Sequence, residues 1–179
     1  MLILPPCNHG ECPLLNFMNT IFERTQQDLV EAGFDIERKD LERPWGGFFV
    51  INESQAKAFT EKYFPDLDAA DLIEGRKVSP KILLVAPNKR LSWQYHHRRA
   101  EVWRVVEGTV GIIRSDTDKL GKLLTYNKGD TVVLAKGERH RLVGLETWGK
   151  IAEIWQHTDP AYPSDENDIV RLQDDFGRN

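Results

Sequence analysis

The sequence predicts a mainly β protein, a sandwich or small barrel with helices on its N-terminal side. Two observations carry this. From Lys81 onward, short runs of strand-forming residues recur at close intervals, separated by turn signals such as Pro87-Asn88, Glu107-Gly108, Lys128-Gly-Asp130 and Lys136-Gly137. Helical periodicity, by contrast, is confined to the residues before Lys81.

The elements follow in chain order. Residues 1–17 hold Pro5, Pro6, Gly10 and Pro13 without periodicity and read as an irregular tail, so that Met18 could serve as a start. Thr20-Ile-Phe-Glu23 has capping-box spacing. Phe22, Gln26, Leu29 and Val30 share a helical face, and Gly33 can end the helix. Residues 18–42 are therefore a helix and a linker, and 43–179 the main domain. Within that domain Phe48–Ile51 reads as a strand, and Ser54–Tyr63 and Ala69–Glu74 as short helices of an insertion at about 52–80. Then come the strands: Ile82–Ala86, Leu91–His96, Glu101–Glu107, Thr109–Arg114, Leu123–Tyr126, Thr131–Leu134, His140–Val143 and Ile151–His157.

A chain of 179 residues makes one domain with modest additions. Its net charge of −4 gives no global positive field, which argues against nucleic acid as a partner. No apolar stretch reaches the roughly 20 residues that span a bilayer, and the opening residues lack a signal-peptide pattern. The two cysteines, Cys7 and Cys12, lie close together near one end, so no disulfide framework is expected across the domain. Their segment with His9 lacks a second ligand pair for zinc. A soluble protein of a reducing, cytoplasmic compartment is the expectation.

Along a strand, side chains alternate, so Gln94 and His96 face one way and Tyr95 and His97 the other. Glu101 opens the next strand and His140 follows the Gly129-Asp130 turn. Gln94, His96, Glu101 and His140 together offer one amide oxygen, two imidazoles and one carboxylate. That set suits one divalent metal ion, zinc first, with manganese or iron as alternatives. Histidines on a solvated strand are the competing explanation.

The spacing Gln94-x-His96-x4-Glu101-x6-Gly108, followed by Gly129-x7-Gly137-x2-His140, resembles the two signatures of the cupin superfamily. Gln94 stands where the first motif usually has His, and Ala135 where the second usually has Pro. More narrowly, five segments in the same order look like the type II mannose-6-phosphate isomerase domain. They are Arg43-Pro-Trp-Gly46, Arg90-Leu-Ser-Trp-Gln94-Tyr-His-His97, Arg99-Ala-Glu101-Val-Trp103, Gly137-Glu-Arg-His140-Arg-Leu142, and Asp168-Ile-Val-Arg171 with Phe176-Gly-Arg178. The resemblance covers about 43–51 and 81–178 and leaves 52–80 outside. It implies a cupin-type double-stranded β-helix, a jelly-roll barrel. Arg98 stands where the family usually has a third consecutive His. Type I mannose-6-phosphate isomerases, also cupins, bind zinc through a Gln, two His and a Glu, which supports counting Gln94.

In the resembled family the domain commonly follows a mannose-1-phosphate guanylyltransferase. No glycine-rich nucleotide loop occurs here, so a stand-alone isomerase domain is the expectation. The implied reaction interconverts an aldose phosphate and a ketose phosphate, with mannose 6-phosphate and fructose 6-phosphate first. It needs an electrophile, a base and a phosphate-binding cation. Glu107 and Glu138 are candidate bases. Lys81, Lys89, Arg90, Arg99 and Arg141 are candidate phosphate partners, with Arg99 leading from its loop between two ligand-bearing strands. Trp103 shares the face of Glu101 and is a candidate substrate contact. The rival expectation is a non-catalytic cupin that binds a sugar, sugar phosphate or sugar nucleotide. A homodimer is expected by analogy with other cupins.

Overall fold

A computed structural model describes residues 13–73 and 76–178. The helix α1 (Pro13–Glu31) precedes the hairpin β1 (Ile36–Arg43) and β2 (Gly46–Ile51). A 3₁₀ turn at Glu53–Gln55 leads to α2 (Ala56–Tyr63) and α3 (Ala69–Ile73). The strands continue as β3 (Val78–Val85), β4 (Trp93–His96), β5 (Arg99–Glu107), β6 (Thr109–Ser115), β7 (Leu123–Asn127), β8 (Thr131–Leu134), β9 (Arg139–Gly144) and β10 (Gly149–His157). A 3₁₀ turn at Glu166–Asp168 introduces β11 (Ile169–Gln173). All pairings are antiparallel, in a six-stranded sheet ordered β1-β2-β3-β10-β5-β8 and a five-stranded sheet ordered β11-β4-β9-β6-β7.

Two cores sandwich the larger sheet, and alternation along its strands decides which residue joins which. Phe48, Leu83, Trp103 and Ile151 turn inward between the sheets and pack with Val110, Ile112, Leu134 and Leu142. Their neighbours Phe49, Leu84, Val102 and Ala152 turn outward, under Phe22 and Leu29 of α1 and Phe59 of α2. With both faces covered, every residue of β10 is buried.

Four local expectations change. Helix α1 begins at Pro13, so 13–17 is helical where an irregular tail was expected; proline suits a first helical position because its missing N–H would be unpaired there anyway. Residues 1–12, with Cys7, His9 and Cys12, lie outside the described residues, as does Glu74. On α1 the buried face is Ile21, Phe22, Thr25 and Leu29, while Val30 is 60 % exposed. Strand β1 replaces the expected linker: all its residues but Ile36 and Leu41 are charged, as befits an edge strand in water. Strand β11, which no local signal marked, completes the second sheet by pairing with β4.

Two features fix the end of the barrel where the candidate ligands lie. Gly46 closes the β1–β2 hairpin with φ at 144°, and a Cβ there would stand 1.9 Å from the Leu84 carbonyl oxygen. Only glycine lets this turn press onto β3. The second feature is Asp168, buried beneath the β4–β5 turn. Its carboxylate accepts from the backbone N–H of His97 (3.2 Å) and Arg98 (2.9 Å) and from Ser164 Oγ (2.6 Å). Burial opposes its charge, but these donors and Arg98 outweigh burial and hold its pKa below the ordinary value. The stabilisation is therefore complete above the unfolded-state pKa and is lost as the pH falls through the lower folded value. Asp168→Asn should lower Tm at pH 7 by roughly 2–10 °C, from about 1–3 kcal/mol of charged hydrogen bonding. The gap should narrow below about pH 4. Thermal denaturation of both proteins from pH 7 to pH 3 checks this, and a gap constant across that range would contradict it.

Candidate metal centre

The two sheets meet over the predicted ligands. The smaller sheet supplies Gln94 and His96 from β4 and His140 from β9, with Gln94 and His140 opposite each other in register. The larger sheet supplies Glu101 from β5. Gly137, with φ at 80°, donates its N–H to the His96 carbonyl (2.9 Å) and so ties the turn before β9 to β4. His96, Glu101 and His140 are each at most 2 % exposed and form one cluster of ligand atoms.

The donor set fits a divalent ion. His96 Nε2 lies 3.1 Å from Glu101 Oε1 and 3.3 Å from His140 Nε2, and His140 Nε2 lies 3.4 Å from Glu101 Oε2. Two donors each about 2.1 Å from a tetrahedral ion stand roughly 3.4 Å apart. Glu101 Oε2 has no hydrogen-bond partner among the described residues despite its burial. His140 Nδ1 lies 2.9 Å from the Glu138 carbonyl, which can only accept; the proton is therefore on Nδ1, and Nε2 presents a lone pair to the cluster. Burial pushes His140 down to about 4 and His96 below its ordinary value, so both rings are neutral at pH 7. Burial opposes the charge of Glu101, yet His96, Arg99 and His140 hold it well below the usual carboxylate range. Gln94 presents Nε2 to His96 at 3.5 Å while its Oε1 accepts from Ser92 Oγ at 2.6 Å. Turning the amide over would aim the oxygen at the cluster. The Ser92 hydroxyl, able to accept as well as donate, serves either orientation. His97 is exposed on the opposite face, 5.1 Å from the Tyr95 ring centroid.

Other predicted site residues separate into two groups. Lys81, Arg99 and Trp103 line the same cavity as Gln94 and Glu101. Arg99, however, lies at the start of β5 and not in a loop, is 1 % exposed, and has its guanidinium engaged throughout. It donates to Glu101 Oε1 (2.7 Å), Ser164 Oγ (2.8 Å) and His96 Nε2 (3.1 Å), and packs over Trp155. It positions Glu101.

Lys89, Arg90, Arg141, Glu107 and Glu138 do not line the cavity. Lys89 is exposed, and Arg90 grips Asp175 (2.6 and 3.1 Å). Arg141 follows His140 and so turns to the other face of its strand, where it donates to the Gln173 carbonyl (3.0 Å). Glu107, at the far end of β5, is paired with Arg24 and with Lys150 at 2.9 Å. Glu138 accepts from Arg114 (2.6 Å) and from the Ala135 N–H (2.9 Å), which fixes its turn. In both acids burial opposes ionisation, and cationic or hydrogen-bonding partners overcome it and lower the pKa, the reverse of what a base in a buried site requires.

Sequence reasoning missed Glu153. On β10 it sits in register between Lys81 of β3 and Trp103 of β5, facing the cavity, and accepts from Trp103 Nε1 at 2.9 Å. Burial and the nearby charge of Glu101 push it up to about 8, against the opposing pull of Lys81, Arg99 and Trp103. The one signal was a lone acid inside the apolar run Ile151-Ala-Glu-Ile-Trp155. Arg43, Arg171 and Arg178 also line the cavity and were not singled out for it.

A jelly-roll barrel with a buried His/Glu/His cluster between its two sheets is a cupin. The family model described as mannose-6-phosphate isomerase C-terminal matches residues 52–174, and the chain belongs to that family. The match takes in the helical segment 52–80, which the motif resemblance left outside. The mannose-1-phosphate guanylyltransferase of Salmonella montevideo is 34 % identical over 146 residues, 80 % of this chain and 24 % of that protein. Alginate biosynthesis protein AlgA of Pseudomonas aeruginosa is 33 % identical over 140 residues, 78 % of this chain and 23 % of its own. The chain thus spans about a quarter of the length of these curated relatives. Among solved structures, vicilin from Corylus avellana shares the fold with a TM-score of 0.52 at 16 % identity, over 75 % of this chain and 35 % of that one. Among the described residues no helix is long and apolar enough to cross a membrane.

Proposed function

We propose that this chain is a metal-dependent isomerase that interconverts an aldose phosphate and a ketose phosphate, with mannose 6-phosphate and fructose 6-phosphate as the substrate pair. The observation that carries the reading is that Glu101, a member of the His96/Glu101/His140 cluster, and the carboxyl of Glu153 line one cavity together. His96, Glu101 and His140, with Gln94 after its amide turns, would hold the ion, with zinc the first choice and manganese or iron the alternatives. A bound divalent ion supplies electrophilic stabilisation of negative charge developing on the substrate oxygens.

The chain's own groups do the rest. Ionised Glu153 takes the proton from C2 of the aldose phosphate; the C–H pair forms the C1–C2 double bond as the C1 carbonyl pair moves onto O1. The O2 hydroxyl proton passes to O1, and re-forming the carbonyl at C2 returns the double-bond pair to C1, which takes the proton back from the same carboxyl. Trp103 holds one oxygen of Glu153 by its N–H and so fixes the other toward the cavity. Arg99 keeps Glu101 ionised and oriented. The test is metal analysis of protein purified without chelator, followed by a coupled assay on a panel of sugar phosphates. Stoichiometric metal and turnover of hexose 6-phosphates are expected. Metal-replete protein that binds a sugar phosphate without turning any over would replace the isomerase reading with that of a binding module.

A further inference from the structure

The cavity has a floor and a mouth of different character. At the floor Glu101, the member of the ligand cluster that lines the cavity, is 2 % exposed. Toward solvent stand Arg43, Arg171 and Arg178, the first and last with side chains 28 % and 23 % exposed. They come from the end of β1, the middle of β11 and the segment directly after β11. Arg171 is the register partner of Gln94, so it rises from the strand next to the ligand-bearing one and on the same face.

Cationic side chains outnumber acidic ones around the cavity. Five cationic side chains line the cavity against three carboxylates, Glu101, Glu153 and Glu166. Arg43, Arg171 and Arg178 line the same cavity; burial first, then repulsion from Arg178 and Arg43, holds Arg171 below its ordinary value against the pull of Asp174 and Glu166. Arg43 and Arg178 are each steadied from behind by one carboxylate, Asp40 at 2.7 Å and Asp174 through both of its oxygens. Such pairing orients a guanidinium without using all five of its N–H groups. Trp155 adds a buried indole N–H on the same wall, with no hydrogen-bond partner among the described residues.

We propose that Arg43, Arg171 and Arg178 form the seat of a phosphomonoester dianion, the phosphate end of the sugar substrate; this rests on the isomerase reading. Planar guanidinium forks lining one cavity suit a tetrahedral dianion, whose oxygens accept several charge-assisted bonds at once. A hexose 6-phosphate carries its phosphate at the end of the chain opposite C1 and C2, which matches a seat at the mouth and chemistry at the floor. The seat also replaces Lys89, Arg90 and Arg141, none of which lines the cavity.

The experiment compares the full chain with Arg171→Gln, Arg43→Gln and Arg171→Lys, each checked for metal content and Tm, with Lys89→Gln as the control outside the cavity. Binding of inorganic phosphate and of fructose 6-phosphate is measured by calorimetry, and KM and kcat by the coupled assay. Each Gln variant should weaken phosphate binding about 10- to 100-fold and raise KM by a similar factor with metal content unchanged. Arg171→Lys should recover part of the loss, which a purely structural role would not produce. Lys89→Gln should behave as the parent chain. If metal-loaded Gln variants bind phosphate as the parent does, the seat is wrong. Turnover with an unchanged KM in these variants overturns the seat while the isomerase stands. Loss of phosphate binding in a chain that turns over no sugar phosphate supports the seat and overturns the isomerase.

Discussion

His140→Ala should leave the protein folded and without its metal, and should abolish isomerase activity. His140 is the ligand whose geometry is most completely set by its surroundings. Its Nδ1 is committed to the Glu138 carbonyl, its ring stands edge-on to Trp103 with centroids 5.3 Å apart, and its Nε2 has only the cluster to face. Removing it leaves His96, Glu101 and the weak amide oxygen of Gln94, one imidazole short of the set that holds a zinc-type ion against water. Metal content should fall from about one per chain to background. Activity should fall on the order of 10³-fold or more, because the developing charge loses its main electrophile. Glu101→Gln should do the same. It also strips Arg99 of its carboxylate, so Tm measured with and without added metal separates lost ligation from lost packing. His97→Ala, on the opposite face, should keep both metal and activity. Stoichiometric metal in His140→Ala, measured by elemental analysis, would show that another residue completes the site.

Much of this site was readable because β-strand alternation is a strict local rule. Four residues, Gln94 to His97, suffice to put one histidine inside and the next outside, and the turn glycines place Glu101 and His140 on strands that can return to the same spot. What failed were inferences about which way a charge is used. Glu107 and Glu138 sit at turns, where a cation from elsewhere can neutralise them, and Arg24 and Arg114 do so from 83 and 24 residues away. Nothing local announces that partner. Glu153 was hidden for another reason. Strand β10 is buried on both faces, so its alternation carries no polar signal, and one acid in an apolar run looks like a strand with an odd residue. Arg43, Arg171 and Arg178 meet only through the β1–β2 and β11–β4 pairings. Strand β1 is too charged, and β11 too short, to declare either pairing from its own residues.

Glu153→Gln should lower kcat about 10²- to 10⁴-fold while metal content and phosphate affinity stay near those of the parent chain. The substitution keeps shape and the acceptor for Trp103 Nε1 but removes the ability to take up a proton. Its effect therefore falls on the chemical step, and KM should change little. The pH profile supplies the second readout. Facing Glu153 are Lys81 from β3 and Glu101 and Arg99 from β5, and their balance with burial puts its pKa at about 8. A base works when ionised, so kcat/KM of the parent should rise with pH through that region. A cation held by Glu101 moves the midpoint downward, because it cancels the repulsion that helped to raise it. The residual activity of Glu153→Gln should lack this ascending limb. A variant with parental kcat and the same limb would take the proton transfer away from Glu153 and point to Lys81, its register neighbour, whose own pKa burial lowers to about 8.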